Sequence, residues 1–82
     1  MTQRLVIGRP AAAGTNDIAV DDEYASTRHA AVTRRDDGTI WIEDLGSTNG
    51  TWVNGNRVWD RRQLEPGDTI RIGRTVVVLP PV

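Results

Sequence analysis

Three short stretches hold most of the polar chemistry of this 82-residue chain: Gly8-Arg9, Ser26-Thr27-Arg28-His29, and Gly46-Ser47-Thr48-Asn49-Gly50-Thr51. Together they offer two Arg, several hydroxyls and an amide; alternation points Arg28 away from Ser26, which leaves Arg9 as the cation of the set. Arg9 presents a rigid fork of N–H donors matched to the oxygens of a phosphate or carboxylate. Ser26 and Thr48 can each donate a hydroxyl, and Thr27 can donate from its backbone N–H or its side chain. Asn49 can both donate and accept, which suits a peptide backbone. The set suits a small, polar, anionic ligand. A hydrolytic reading would join Ser26, His29 and an acid such as Asp44 into a triad. A Ser and a His three residues apart on a strand do not easily reach nucleophile–base geometry, and the chain has no Gly-x-Ser-x-Gly elbow. The expectation is a binding module and no enzyme, with no catalytic residue.

Short strands must position these residues. Leu5-Val6-Ile7 ends at Gly8, Ile18-Ala19-Val20 at Asp21-Asp22, and His29 to Thr33 at Asp36-Asp37-Gly38. Ile40-Trp41-Ile42 ends at Asp44, and Thr51-Trp52-Val53 at Asn54-Gly55, a strong hairpin dipeptide. Arg57-Val58-Trp59, Asp68 to Ile72 and Thr75 to Leu79 complete the series. Turn signals recur every ~8–12 residues, which points to an all-β sandwich or barrel. Alternation puts Ile70 and Ile72 on the core face with Arg71 outside, and treats Ile40 and Ile42 in the same way. Residues 10–17 read as a mobile loop. Trp41, Trp52 and Trp59 read as core or sheet-face packing. No internal repeat or second domain is visible, so residues 1–82 read as a single domain.

Composition narrows the function. Ten Arg offset eleven acids for a net charge of −1. A nucleic-acid binder usually carries a clear basic excess, so no nucleic-acid partner is expected. The four aromatics are dispersed, which disfavours a base-stacking surface. No Cys and a single His leave no metal site to expect, and no cofactor motif occurs. No apolar run approaches the ~20 residues of a membrane-spanning helix. The N-terminus is too soon interrupted to be a signal peptide. No membrane contact by this segment is expected.

Gly8-Arg9, Ser26-x-x-His29, Gly46-Ser47-Thr48-Asn49-Gly50-Thr51 with Asn54-Gly55, Leu64-x-x-Gly67-Asp68 and Ile72-Gly73 occur in that order. This pattern resembles the forkhead-associated (FHA) domain, a reader of phosphothreonine peptides, over about residues 5–79. The string from Asp21 to His29 further resembles FHA domains of small actinobacterial proteins that serine/threonine kinases address. The resemblance implies a twisted antiparallel β-sandwich with its binding loops at one end, and no cofactor. It implies phosphopeptide contacts from Arg9, Ser26, Thr27, Thr48 and Asn49. Gly8, His29, Gly46, Ser47 and Gly50 are implied as structural support of those loops. Thr27 departs from the basic residue or Asn frequent at its place, which leaves it a backbone contact. The implied partner is a threonine-phosphorylated protein, met in the cytoplasm or on the cytoplasmic face of a membrane-anchored parent. The alternative is a scaffold that binds an unphosphorylated partner through its sheet face.

The preferred peptide sequence is not legible. Tyr24 and residues 45–47 are candidates for reading the position three after the phosphothreonine. Relatives of this kind usually carry one or two strands before the Gly-Arg strand, and only four residues precede Leu5 here. The closing strand from Thr75 to Leu79 is therefore expected to have an unpaired edge. Either a longer natural protein covers that edge, or the chain self-associates through it.

Overall fold

A computed structural model describes residues 2–10 and 16–78. Nine strands succeed one another: β1 (Gln3–Gly8), β2 (Ile18–Ala19), β3 (Ala30–Arg34), β4 (Ile40–Asp44), β5 (Thr51–Val53), β6 (Asn56–Val58), β7 (Arg61–Leu64), β8 (Thr69–Ile72) and β9 (Thr75–Val78). No helix interrupts them among the described residues. They form a five-stranded sheet in the order β2-β1-β3-β4-β7 and a four-stranded sheet in the order β6-β5-β8-β9. Every pairing is antiparallel except that of β1 with β2. The fold is the all-β sandwich that the turn spacing predicts. Most of the loop expected at 10–17 lies outside the described residues.

The core follows from strand alternation. Ile70 and Ile72 are buried and Arg71 is exposed, as the period of two requires. Ile42 is fully buried, and Ile40 packs against the same cluster, which includes Ile7, Val53, Val58 and Leu64. Asn54 and Gly55 take φ of 51° and 82°, so the two-residue hairpin between β5 and β6 has a positive φ at both central positions, as a type I′ turn needs.

Strand β7 was not visible in the sequence. Of Arg61, Arg62, Gln63 and Leu64 only Leu64 is buried, because β7 is an edge strand paired with β4 alone. One apolar residue in four leaves no alternation to read. The three Trp lie outside the core: Trp41 and Trp52 are half-buried on sheet faces, and Trp59 is 78 % exposed.

At the other sheet's edge, β9 pairs only with β8 among the described residues. Val76, Val77 and Val78 are 57 %, 49 % and 57 % exposed. Val77 lies opposite Ile70, on the inner side of its sheet, yet remains half open. Leu79, also assigned to the closing strand, lies outside the described residues.

Candidate functional site

The end of β1, the segment between β2 and β3, and the loop between β4 and β5 meet at one place. The Arg9 N–H donates to the Ser26 carbonyl at 2.9 Å, and the Thr48 N–H to Ser26 Oγ at 3.2 Å. Asn49 Nδ2 donates to the Tyr24 carbonyl at 2.7 Å. Around this junction opens a cavity of about 400 Å³ lined by Arg9, Glu23, Tyr24, Ala25, Ser26, Thr27, Thr48 and Asn49. The five residues expected to contact ligand thus share one cavity.

His29 braces this end of the sandwich. It is fully buried. Its Nδ1 accepts the Ser26 N–H at 3.0 Å, so the neutral ring carries its proton on Nε2, which donates to the Gly50 carbonyl at 2.8 Å. Its own N–H donates to Ile7 and its carbonyl accepts from Leu45, each at 2.9 Å. One residue therefore ties all three site-forming segments together. Both ring nitrogens are engaged by backbone groups, and Ser26 Oγ accepts from Thr48. No nucleophile–base pair forms between Ser26 and His29.

Asp44 shapes the 46–50 loop. Its carboxylate accepts from the N–H groups of Gly46 and Ser47 at 3.1 Å, from the Ser47 hydroxyl, and from Thr51 Oγ1 at 2.8 Å. Ser47 Oγ in turn accepts the Gly50 N–H at 3.0 Å. Burial pushes the Asp44 carboxyl up, but the hydrogen bonds from Ser47, Thr51 and Gly46 outweigh it and hold it below the ordinary carboxylate value. Gly46 and Gly50 sit at φ 79° and 86°, a region that disfavours any side chain. Gly8 is needed for a different reason: a Cβ there would lie 2.0 Å from the Thr27 carbonyl oxygen. That close approach brings Arg9 beside Ser26 and Thr27.

Sequence reasoning missed three contributors. Asn16 Nδ2 bridges the carbonyls of Arg9 and Thr27 at 3.1 and 2.6 Å, and nothing about an Asn in a polar loop announces that. Asp22 accepts from the N–H groups of Tyr24 and Arg74 and from Thr75 Oγ1, fastening the pocket wall to the start of β9. The role of Asp44 as the hub of its loop was signalled only by an Asp three residues before a Ser, a frequent turn arrangement.

The donors facing the cavity are uncommitted. Arg9 makes one long contact, Nη1 to the Glu23 carbonyl at 3.5 Å. The hydroxyl hydrogen of Ser26, the Thr48 hydroxyl and the Thr27 N–H donate to no group among the described residues. Such a set is prepared for acceptor oxygens. No group of His, Asp and Glu suited to holding a metal ion occurs among the described residues.

Comparison with known proteins gives the family and supports the fold. The family model of the FHA domain matches residues 5–73. FhaB, an FHA domain-containing protein of Mycolicibacterium smegmatis, is 42 % identical over 80 residues, which cover 96 % of this chain and 48 % of that protein. The chain thus spans about half the length of this curated relative. The FHA domain of the CT664 protein from Chlamydia trachomatis matches with a TM-score of 0.90 and 28 % identity, over 98 % of this chain and 77 % of that one. EmbR of Mycobacterium tuberculosis, in complex with a low-affinity phosphopeptide, matches with a TM-score of 0.76 and 30 % identity, over 96 % of this chain and 21 % of that one.

Proposed function

This chain belongs to the FHA domain family, and on that premise we propose that it binds threonine-phosphorylated protein segments in serine/threonine-kinase signalling, without catalysis. The observation that carries the reading is the convergence of Arg9, Ser26, Thr27, Thr48 and Asn49, with unspent donors, around one cavity. A phosphothreonine carries about −1.5 to −2 charge at neutral pH and strong acceptor oxygens. Arg9 supplies the counter-charge. The hydroxyls of Ser26 and Thr48 and the Thr27 N–H supply neutral donors. Asn49 holds the peptide backbone with its remaining amide capacity. Glu23, whose side chain makes no ion pair among the described residues, adds a negative charge to the rim. We place the interaction on the cytoplasmic side of the cell, where such kinases phosphorylate their targets.

Affinity is expected to fall as pH drops from 7.5 to 5.5, because the second ionisation of the phosphate lies near ~6 and the site suits the dianion. Asp44 does not produce this loss. Its folded pKa is lowered, so the stability it contributes is full above the unfolded value and disappears only as pH falls through the lower, folded one. Calorimetry with a phosphothreonine peptide, repeated with a phosphonate of different second pKa, tests this. The midpoint should move with the ligand; an unmoved midpoint would assign the titration to the protein.

We further propose that this 82-residue chain self-associates through β9. Among the described residues the strand is paired on one side, and three consecutive exposed Val form an apolar, β-branched edge that recruits another strand. Light scattering during size exclusion should show a dimer that strengthens with concentration. A monomer at millimolar concentration would contradict the proposal.

A further inference from the structure

The outer face of the four-stranded sheet carries a feature that phosphate recognition does not use. Register sets Trp52 opposite both Arg57 and Arg71, and Arg71 opposite Val76. Arg57, Trp52, Arg71 and Val76 therefore cross all four strands in one row, on the face opposite Ile70 and Ile72. Arg57 Cζ lies 4.1 Å from the Trp59 ring centroid and 6.0 Å from that of Trp52, and Arg71 Cζ lies 4.8 Å from Trp52. Trp59 is 78 % exposed and Val76 57 % exposed. Neither guanidinium makes an ion pair or donates a hydrogen bond among the described residues.

From this row we propose that the face docks an acidic, extended protein segment, independently of the phosphate pocket. A guanidinium stacked on an indole is held by the ring quadrupole, and its N–H edges stay free for a carboxylate. The stacking restrains the side chain beforehand, so less freedom is lost when a partner arrives. Trp and Arg are the residues that dominate protein interfaces, and here they alternate beside open apolar surface. Arg57 and Arg71 stand two strand spacings apart, about 9.6 Å. An extended segment in the polyproline II conformation, with three residues per turn and a rise of about 3.1 Å, sets carboxylates three residues apart on one face at about 9.3 Å, and an apolar side chain beside them can cover Trp59 or Val76. Nucleic acid fits less well. Trp52 is flanked by a guanidinium on each side, which leaves Trp59 alone for stacking, and the net charge is −1. The row starts behind the phosphate pocket, since Trp52 Nε1 donates to the Asn49 carbonyl at 3.3 Å. One partner can therefore reach both.

The test is a nuclear magnetic resonance titration of the isotope-labelled chain. The probe is an unphosphorylated peptide with Glu at every third position and Leu between. A peptide with Gln for Glu and a single-stranded oligonucleotide serve as controls. With the acidic peptide, the indole signals of Trp52 and Trp59 and the side-chain signals of Arg57 and Arg71 should shift, while Trp41 on the other sheet stays still. Affinity should fall at least tenfold in the Arg57→Glu, Arg71→Glu double variant and drop with added salt. It should be unchanged in Arg9→Ala, which separates this face from the phosphate pocket. If the double variant does not fold, Arg71→Gln alone should weaken binding severalfold. Absent shifts, equal shifts with the Gln peptide, or shifts with the oligonucleotide only would each overturn the proposal.

Discussion

Arg9→Ala is expected to abolish measurable binding of threonine-phosphorylated peptide. The variant removes the only cation that lines the cavity among the described residues. Truncating one member of a desolvated charge pair costs about 2–4 kcal/mol, or roughly 30- to 1000-fold in affinity at ~1.4 kcal/mol per decade. Arg9→Lys should recover part of this, since an ammonium restores charge without the fork. Ser26→Ala should cost less, about 1–3 kcal/mol, as the loss of a hydrogen bond to a charged group. Folding should be unaffected by Arg9→Ala, because the exposed side chain makes a single long contact. Calorimetry beside thermal melting checks both halves. Wild-type affinity in Arg9→Ala would remove the residue from the site.

His29→Ala is expected to remove a large share of the chain's stability at room temperature. The ring is fully buried and satisfies two backbone groups, the Ser26 N–H and the Gly50 carbonyl. Its removal leaves a cavity and two orphaned polar groups, about 3–5 kcal/mol in sum. A domain of this length is stabilised by only about 4–12 kcal/mol. A urea midpoint lowered by about a quarter or more would agree. An unshifted midpoint would show that water or rearrangement replaces the ring, and that His29 is not the brace described above. A variant that stays folded should still bind phosphopeptide more weakly, because Ser26 and Gly50 lose their common anchor.

How much the sequence revealed depended on the kind of signal. Strands with apolar alternation, such as Thr69 to Ile72, and turns with Asn-Gly or Pro-Gly were legible because their periodicity and backbone demands are local. The five residues expected to contact ligand were legible through ordered motifs, and the fold gathers all five around one cavity. Polar β7 was hidden because an edge strand can keep three of its four side chains out of the core. The contacts of Asn16, Asp22 and Asp44 were hidden for another reason. A short polar side chain in a loop looks the same whether it faces water or caps two backbone groups, and only the tertiary fold decides. The Arg–Trp row was hidden too, since Arg57 and Arg71 become neighbours of Trp52 only through strand register.

Binding is expected to depend on the phosphate and to occur at the Arg9–Ser26–Thr48 cavity. The most direct measurement titrates the labelled chain with a degenerate phosphothreonine peptide library and with the same library unphosphorylated, following backbone resonances. Saturating shifts are expected at Arg9, Ser26, Thr27, Thr48 and Asn49 with the phosphorylated library alone. Equal shifts at these residues with both libraries, or phosphate-dependent shifts elsewhere that leave them unmoved, would contradict this expectation.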